Sequence, residues 1–216
     1  MVVSPLILSV SAATAEGAPV KVQAMDPLAP LKKAARAEAM AKRNAAHDGL
    51  KDIASAALLS HPFPVTPLPG RSVVSAFYPY QSEIDTRPLL GRLAGEGWTT
   101  ALPIVTKLGT PLEFRRWMPG EPTIPGKWDI PRPAEEAPLV EPDVLLVPLL
   151  TFDRRGYRLG YGGGFYDRTL EKLRAGKPVV AIGVAYAVQE VDSVLHDHHD
   201  QLLNYVMTEK ELIRCG

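Results

Sequence analysis

The chain has 216 residues, 46% of them hydrophobic and 22% charged, the proportions of an ordinary globular domain with a substantial core. Its 17 glycines and 21 prolines make it loop-rich but leave it short of the ~25–30% that marks low-complexity chains, so collagen, coiled coil and full disorder are excluded. Lys+Arg and Asp+Glu balance at 24 each, and the basic excess of a general nucleic-acid binder is missing.

Residues 1–24, MVVSPLILSVSAATAEGAPVKVQA, are apolar and small, with no Lys or Arg before Lys21. A secretory signal wants a basic start ahead of its apolar run, so this segment is expected to be a disordered extension. A single domain over 25–216, beginning near Met25, would follow it. No stretch approaches the ~18–20 apolar residues of a transmembrane helix. Cys215 is the only cysteine; it can form no internal disulfide, which suits a reducing, cytoplasmic setting.

Residues 28–60 read as helix. LKKAARAEAMAKR is rich in strong helix formers, and a second helical run, GLKDIASAALLS, stops at the breaker His61–Pro62–Phe63–Pro64. A proline-rich loop runs to Gly70, and Ser72–Tyr78 reads as a buried strand. Glu83–Glu96 holds a helix, with Thr86 as its N-cap and Pro88 in its first turn. Thr99–Thr106 is the next strand, and Leu112–Trp117 a shorter one. Residues 118–142 are proline-rich and aperiodic, as functional loops or flexible covers are. Asp143–Leu149 is an apolar run fit for a central parallel strand buried on both faces. Tyr166–Arg174 reads as helix, Pro178–Ala185 as a buried strand and Tyr205–Thr208 as a last short one. Strands alternating with helices imply a three-layer α/β/α fold, a single domain with a mostly parallel central sheet.

The most informative segment is Phe152–Asp167, FDRRGYRLGYGGGFYD, between a buried strand and a helix. Ligands of parallel sheets bind beyond the carboxyl ends of strands. Gly160, Gly162, Gly163 and Gly164 lack Cβ atoms, so their amides can approach a phosphate closely. The helix start near Tyr166 adds positive potential, Arg154 and Arg158 add charge, and Asp167 is a candidate Mg²⁺ ligand. On glycine content alone the segment is equally a flexible turn. It lacks the GK[ST] ending of a Walker loop and the acidic partner of a dinucleotide fingerprint.

The order of residues Val147–Pro148, Phe152–Asp153, Gly156, Arg158–Leu159–Gly160, Gly162, Gly164 and Tyr166–Asp167 resembles the signature of the 5-formyltetrahydrofolate cyclo-ligase family. Other positions agree in sequence order: Lys32 and Arg36; Tyr80, Glu83, Asp85 and Thr86; Leu102–Pro103; Phe114–Arg115 with Trp117; Gln189; His199–Asp200; and Thr208–Glu209. The resemblance covers about residues 28–210. Two positions depart from it. Arg132 stands where the family often has Glu, and Leu149 stands where it has Gly.

The resemblance implies that ATP and 5-formyltetrahydrofolate are the small-molecule substrates and Mg²⁺ the metal. No nucleic-acid or membrane partner is expected, and the chain would act as a monomer. Formyl-oxygen phosphorylation would be followed by attack of N10 on the activated carbon. Arg158, Leu159, Gly160, Tyr161, Gly162, Gly163, Gly164, Phe165 and Tyr166 would cradle the triphosphate, with Lys32, Lys33 and Arg36 reaching in from the first helix. Arg158 and Tyr166 would be catalytic. Arg36, Tyr78, Glu83, Trp117, Tyr161 and Phe165 would contact the folate, and Asp167 and Asp200 would hold the metal.

Each assignment has a plainer alternative: solvated cations on a basic helix, carboxylates near a helix N-terminus, and core packing for Trp117. The run His196–Asp197–His198–His199–Asp200 has zinc-ligand types but no second cluster at zinc spacing. A phosphotransferase acting on another substrate, and a nucleotide- or folate-binding module without turnover, are the rival functions.

Overall fold

The computed structural model describes residues 28–68 and 70–216. The extension expected over residues 1–24 lies outside the described residues. Among the described residues, no helix is long and apolar enough to cross a membrane.

The architecture follows from the unbroken apolar run at residues 144–147. Strand β4 (Val144–Pro148) buries both of its faces, Val144 and Leu146 on one side of the sheet and Leu145 and Val147 on the other. It pairs in parallel with β1 (Val73–Ser75) and with β7 (Val180–Val184). Beyond β1 lie β2 (Thr99–Ile104), parallel, and β3 (Glu113–Arg116), antiparallel. Beyond β7 lie β8 (Tyr205–Met207), parallel, and β9 (Leu212–Arg214), antiparallel. The order is β3-β2-β1-β4-β7-β8-β9, a mostly parallel sheet with antiparallel edges.

Helix α1 (Ala29–Leu58) and helix α2 (Arg87–Gly95) cover one face, through Ala54, Leu58, Leu89, Leu90 and Leu93. Helix α3 (Phe165–Gly176) covers the other through Leu170 and Leu173, which completes the expected three layers.

Several local expectations are corrected. The two helical runs of residues 28–60 form one continuous 30-residue helix. Gly49 sits exposed within it, and an interior glycine costs only ~1 kcal/mol relative to alanine, too little to break a helix held by packing. Thr86 occupies the N-cap position of α2 without capping it; its hydroxyl donates to Phe77 O at 2.7 Å instead. The first strand spans only Val73–Ser75, while α2 starts at Arg87, directly after Thr86 and with Pro88 in its first turn as expected. A small hairpin, β5 (Thr151–Phe152) with β6 (Arg158–Leu159), and the edge strand β9 were not expected. All three are two or three residues long, too short for a period to register.

The turn of that hairpin depends on Gly156. Its φ is +98°, and a Cβ there would lie 2.6 Å from Leu203 O. Gly156→Ala is therefore expected to lower stability by about 1–3 kcal/mol, measured by urea unfolding.

Candidate active site

From β1 the chain winds outward to β2 and β3, then returns to β4 and winds the other way. The reversal leaves a crevice at the carboxyl ends of β1 and β4, the place where open α/β sheets bind ligands. There lies a cavity of about 1380 Å³. Its wall takes residues from the ends of β1, β2 and β4, from the glycine-rich segment, from the first turns of α1 and from residues 125–135.

The glycine-rich segment connects β6 to α3. Gly162 and Gly164 have φ of +94° and +64°, so the turn needs glycine at both positions. Gly160, Tyr161, Gly162, Gly163 and Gly164 all line the cavity, as do Arg158, Leu159, Phe165 and Tyr166. Two arginines clasp the loop from outside it. Arg36 Nε donates to Gly160 O at 2.9 Å, and its guanidinium lies where a Cβ on Gly162 would come within 3.1 Å of Cζ. Arg168 donates to Gly163 O. The first-turn amides of α3 at Phe165, Tyr166 and Asp167 have no intrahelical acceptor, which leaves a positive helix end at the cavity wall.

The expected phosphate-binding cations are already engaged. Lys32 is buried and donates to Asp197 Oδ2 at 2.7 Å and Asp200 Oδ2 at 3.0 Å. Burial pulls its pKa down, but the hydrogen bonds and charges of the two aspartates outweigh this and leave it raised. Buried Arg158 donates through Nη2 to Asp167 Oδ1 at 2.7 Å and through Nη1 to Gln201 O. Asp167 and Asp200 both line the cavity. Asp167 Oδ2 and Asp200 Oδ1 take no hydrogen bond from any described residue. Among the described residues, no group of three or more His, Cys, Asp and Glu forms a metal cage. One free oxygen on each of two carboxylates does fit Mg²⁺, which binds through one or two carboxylates and completes its shell with water and phosphate.

Glu83 is the buried carboxylate of the cavity, 7% exposed. Its Oε2 accepts the Tyr80 amide at 2.9 Å and its Oε1 accepts the Tyr161 hydroxyl at 3.0 Å. Burial pushes its pKa up, against the lowering effect of the Tyr80 amide, the Arg43 charge and the Tyr161 hydroxyl. Burial first, and the Glu83 charge second, raise the hydroxyls of Tyr161 and Tyr166 well above the usual phenol range. Both therefore remain protonated donors at neutral pH.

Tyr78 lines the cavity. Trp117 does not: it is 4% exposed in the core behind Tyr78, ring centroids 6.4 Å apart, with Nε1 donating to Glu121 O. Lys33 is exposed and outside the wall, one residue round the helix from buried Lys32. Arg154 is exposed and paired with Glu190 and Glu211, away from the cavity.

Sequence reasoning missed Asp197, Trp128 and Arg43. Trp128 lies in the proline-rich segment with φ +56°, and its ring stands 6.0 Å from that of Phe165. Arg43 carried a legible signal. Lys32, Ala39 and Arg43, all buried, recur at helical spacings of one face. At the two departures, Arg132 lines the cavity and pairs with Glu135 at 2.9 Å, which keeps a carboxylate in that wall. Leu149 is buried, with Cδ2 2.8 Å from where a Cβ on Gly183 would lie, so it packs over the bare backbone of β7.

A helix N-terminus fed by a glycine turn, set at the strand-order reversal of a mostly parallel sheet, defines an α/β protein with the crevice in which open sheets of this kind bind ligands. Comparison with known proteins narrows this. The chain belongs to the 5-formyltetrahydrofolate cyclo-ligase family, whose sequence model matches residues 29–209. The 5-formyltetrahydrofolate cyclo-ligase of Haemophilus influenzae is 33% identical over 132 residues, which are 59% of this chain and 70% of that protein. The one from Mycolicibacterium smegmatis is 36% identical over 155 residues, 65% of this chain and 75% of that protein. The solved 5,10-methenyltetrahydrofolate synthetase of Aquifex aeolicus superposes with a TM-score of 0.68 at 27% identity, covering 85% of this chain and 92% of that one.

Proposed function

We propose that this enzyme converts 5-formyltetrahydrofolate to 5,10-methenyltetrahydrofolate, with ATP hydrolysed to ADP and phosphate. The observation that carries the reading is one cavity lined both by a cationic glycine-rich seat at a helix N-terminus and by a buried carboxylate.

The formyl group is an amide whose oxygen leaves poorly. Its oxygen attacks the γ-phosphorus of ATP, ADP departs, and an N-formyl iminophosphate results. The lone pair of N10 then attacks the formyl carbon, phosphate leaves with the former formyl oxygen, and N10 gives up its proton. Little covalent work falls to the protein; it positions the groups and stabilises charge.

In this reading the amides of Gly160–Gly164 and the α3 N-terminus accept the phosphates. Lys32, Arg36 and Arg158 neutralise the transferring phosphoryl, toward which the protonated Tyr166 hydroxyl can donate. Asp167 and Asp200 would hold Mg²⁺, which supplies charge neutralisation across the phosphate oxygens. Glu83 accepts hydrogen bonds from the N–H edge of the pterin, with Tyr78, Tyr161 and Phe165 as apolar walls. Arg36 reaches both substrates.

Mixing enzyme, Mg²⁺, ATP and 5-formyltetrahydrofolate is expected to raise the near-ultraviolet absorbance of the methenyl product; no ATP-dependent rise at catalytic enzyme levels would overturn the reading. Asp167→Asn removes one metal carboxylate and is expected to raise the Mg²⁺ needed for half-maximal rate by roughly 10–100-fold. An unchanged Mg²⁺ titration would refute that assignment. Gly162→Val forces a β-branched side chain into φ +94° and against Arg36. Affinity for a non-hydrolysable ATP analogue, measured by calorimetry, is expected to fall about tenfold or more, which is about 1.4 kcal/mol.

A further inference from the structure

Glu83 has to be an anion to accept from two pterin donors, yet its position strips it of water. The hydroxyl of Tyr161 and the amide of Tyr80 hydrogen-bond to it but bring no charge. Tyr166, on α3, faces it with a neutral hydroxyl. Among the described residues, the cation beside it comes from α1. Arg43 is 1% exposed, and its Nη1 stands 3.6 Å from Glu83 Oε1.

The guanidinium is held from several sides. Its Nε donates to Ser82 Oγ at 3.0 Å, and Ser82 donates in turn to Asn44 Oδ1. Its Nη2 lies 3.4 Å from Met40 Sδ, and its Cζ lies 5.3 Å from the centre of the Tyr161 ring. The Tyr186 hydroxyl, hydrogen-bonded to His47, is a further titratable group facing it, with the Glu209 charge behind. Among the described residues Nη1 is buried without a hydrogen-bond partner of its own, and the carboxylate beside it is that of Glu83. Such an arrangement is costly as packing. A buried ion pair can often be replaced as a whole by apolar residues without loss of stability, so packing alone does not call for this cation and its carboxylate. Ser82 and the helix spacing that places Arg43 would serve no purpose for a purely apolar contact.

We propose that Arg43 is a positioning residue that holds Glu83 as an anion and fixes its Oε1 edge against Tyr161, so that the remaining lone pairs face the cavity. The proposal rests on the assignment of Glu83 to the folate. Arg43 lies outside the cavity wall and touches no substrate; it acts through Glu83.

The test is a carboxyl ¹³C NMR titration of the full chain labelled at glutamate, with the Glu83 resonance identified by its loss in Glu83→Gln. In Arg43→Met the Glu83 midpoint is expected to rise by about 1–3 pH units, and Arg43→Lys, which keeps the charge, should restore most of it. The acid limb of kcat/KM for the folate should move to higher pH by the same amount, because the carboxylate is lost earlier as pH falls, while KM for ATP stays unchanged. A folded Arg43→Met with an unmoved midpoint overturns the proposal. Should that variant not fold, Ser82→Ala releases the guanidinium and is expected to raise the midpoint too; no rise in Ser82→Ala together with no difference in Arg43→Lys overturns it equally. A raised midpoint with folate KM unaltered supports the role of Arg43 and instead refutes the assignment of Glu83 to the folate.

Discussion

β4 is hydrogen-bonded on both edges and packed on both faces, and the direction in which the chain winds changes at it. A strand so placed cannot relax, because each apolar side chain is committed to one of two helical layers. The loops leaving β1 and β4 are consequently forced apart, and the crevice between them persists without any device to prop it open. Everything with chemical character is hung from that crevice, including the glycine turn, which leaves through the short β5–β6 hairpin after β4.

Opposite charges tie the distant segments together around it. Lys32 joins the start of α1 to the Asp197–Asp200 turn, Arg158 joins β6 to α3, and Arg43 joins the middle of α1 to the loop after β1. Buried ion pairs contribute little net stability, since the cost of desolvation consumes most of the attraction. Their value here is geometric. The pairs keep Lys32 and Arg158 at set places on the cavity wall and Arg43 at a set place behind Glu83, so the conformational freedom of these long side chains is given up before any ligand arrives. The cations and carboxylates are partnered locally, so each patch keeps its own character.

Residue type and spacing made much of this readable. The glycine turn and its helix were evident from FDRRGYRLGYGGGFYD, whereas Lys32 and Arg36 stood out through the family resemblance, their i, i+4 spacing adding that they share a helix face. Trp117 was misread because an aromatic near a site motif gives no hint of which face of a strand end it takes; here Tyr78 stands between it and the cavity. Lys33 was misread because adjacent helix positions differ by about 100° in direction, so one neighbour is buried and the other exposed. The proline-rich stretch 118–142 showed no period, and its contribution of Trp128 and Arg132 to the wall depends on backbone turns that no pattern announces.

The sequence by itself determined the layered class, the central strand, the helices and the glycine-rich turn, because these rest on local periodicity and on where Cβ atoms are missing. Only the tertiary structure decided which cation meets which carboxylate, that Glu83 is buried beside Arg43, and that Leu149 fills the space over Gly183. Most of those contacts join residues tens of positions apart, and their energies depend on desolvation and distance, quantities that exist only once the chain has closed on itself.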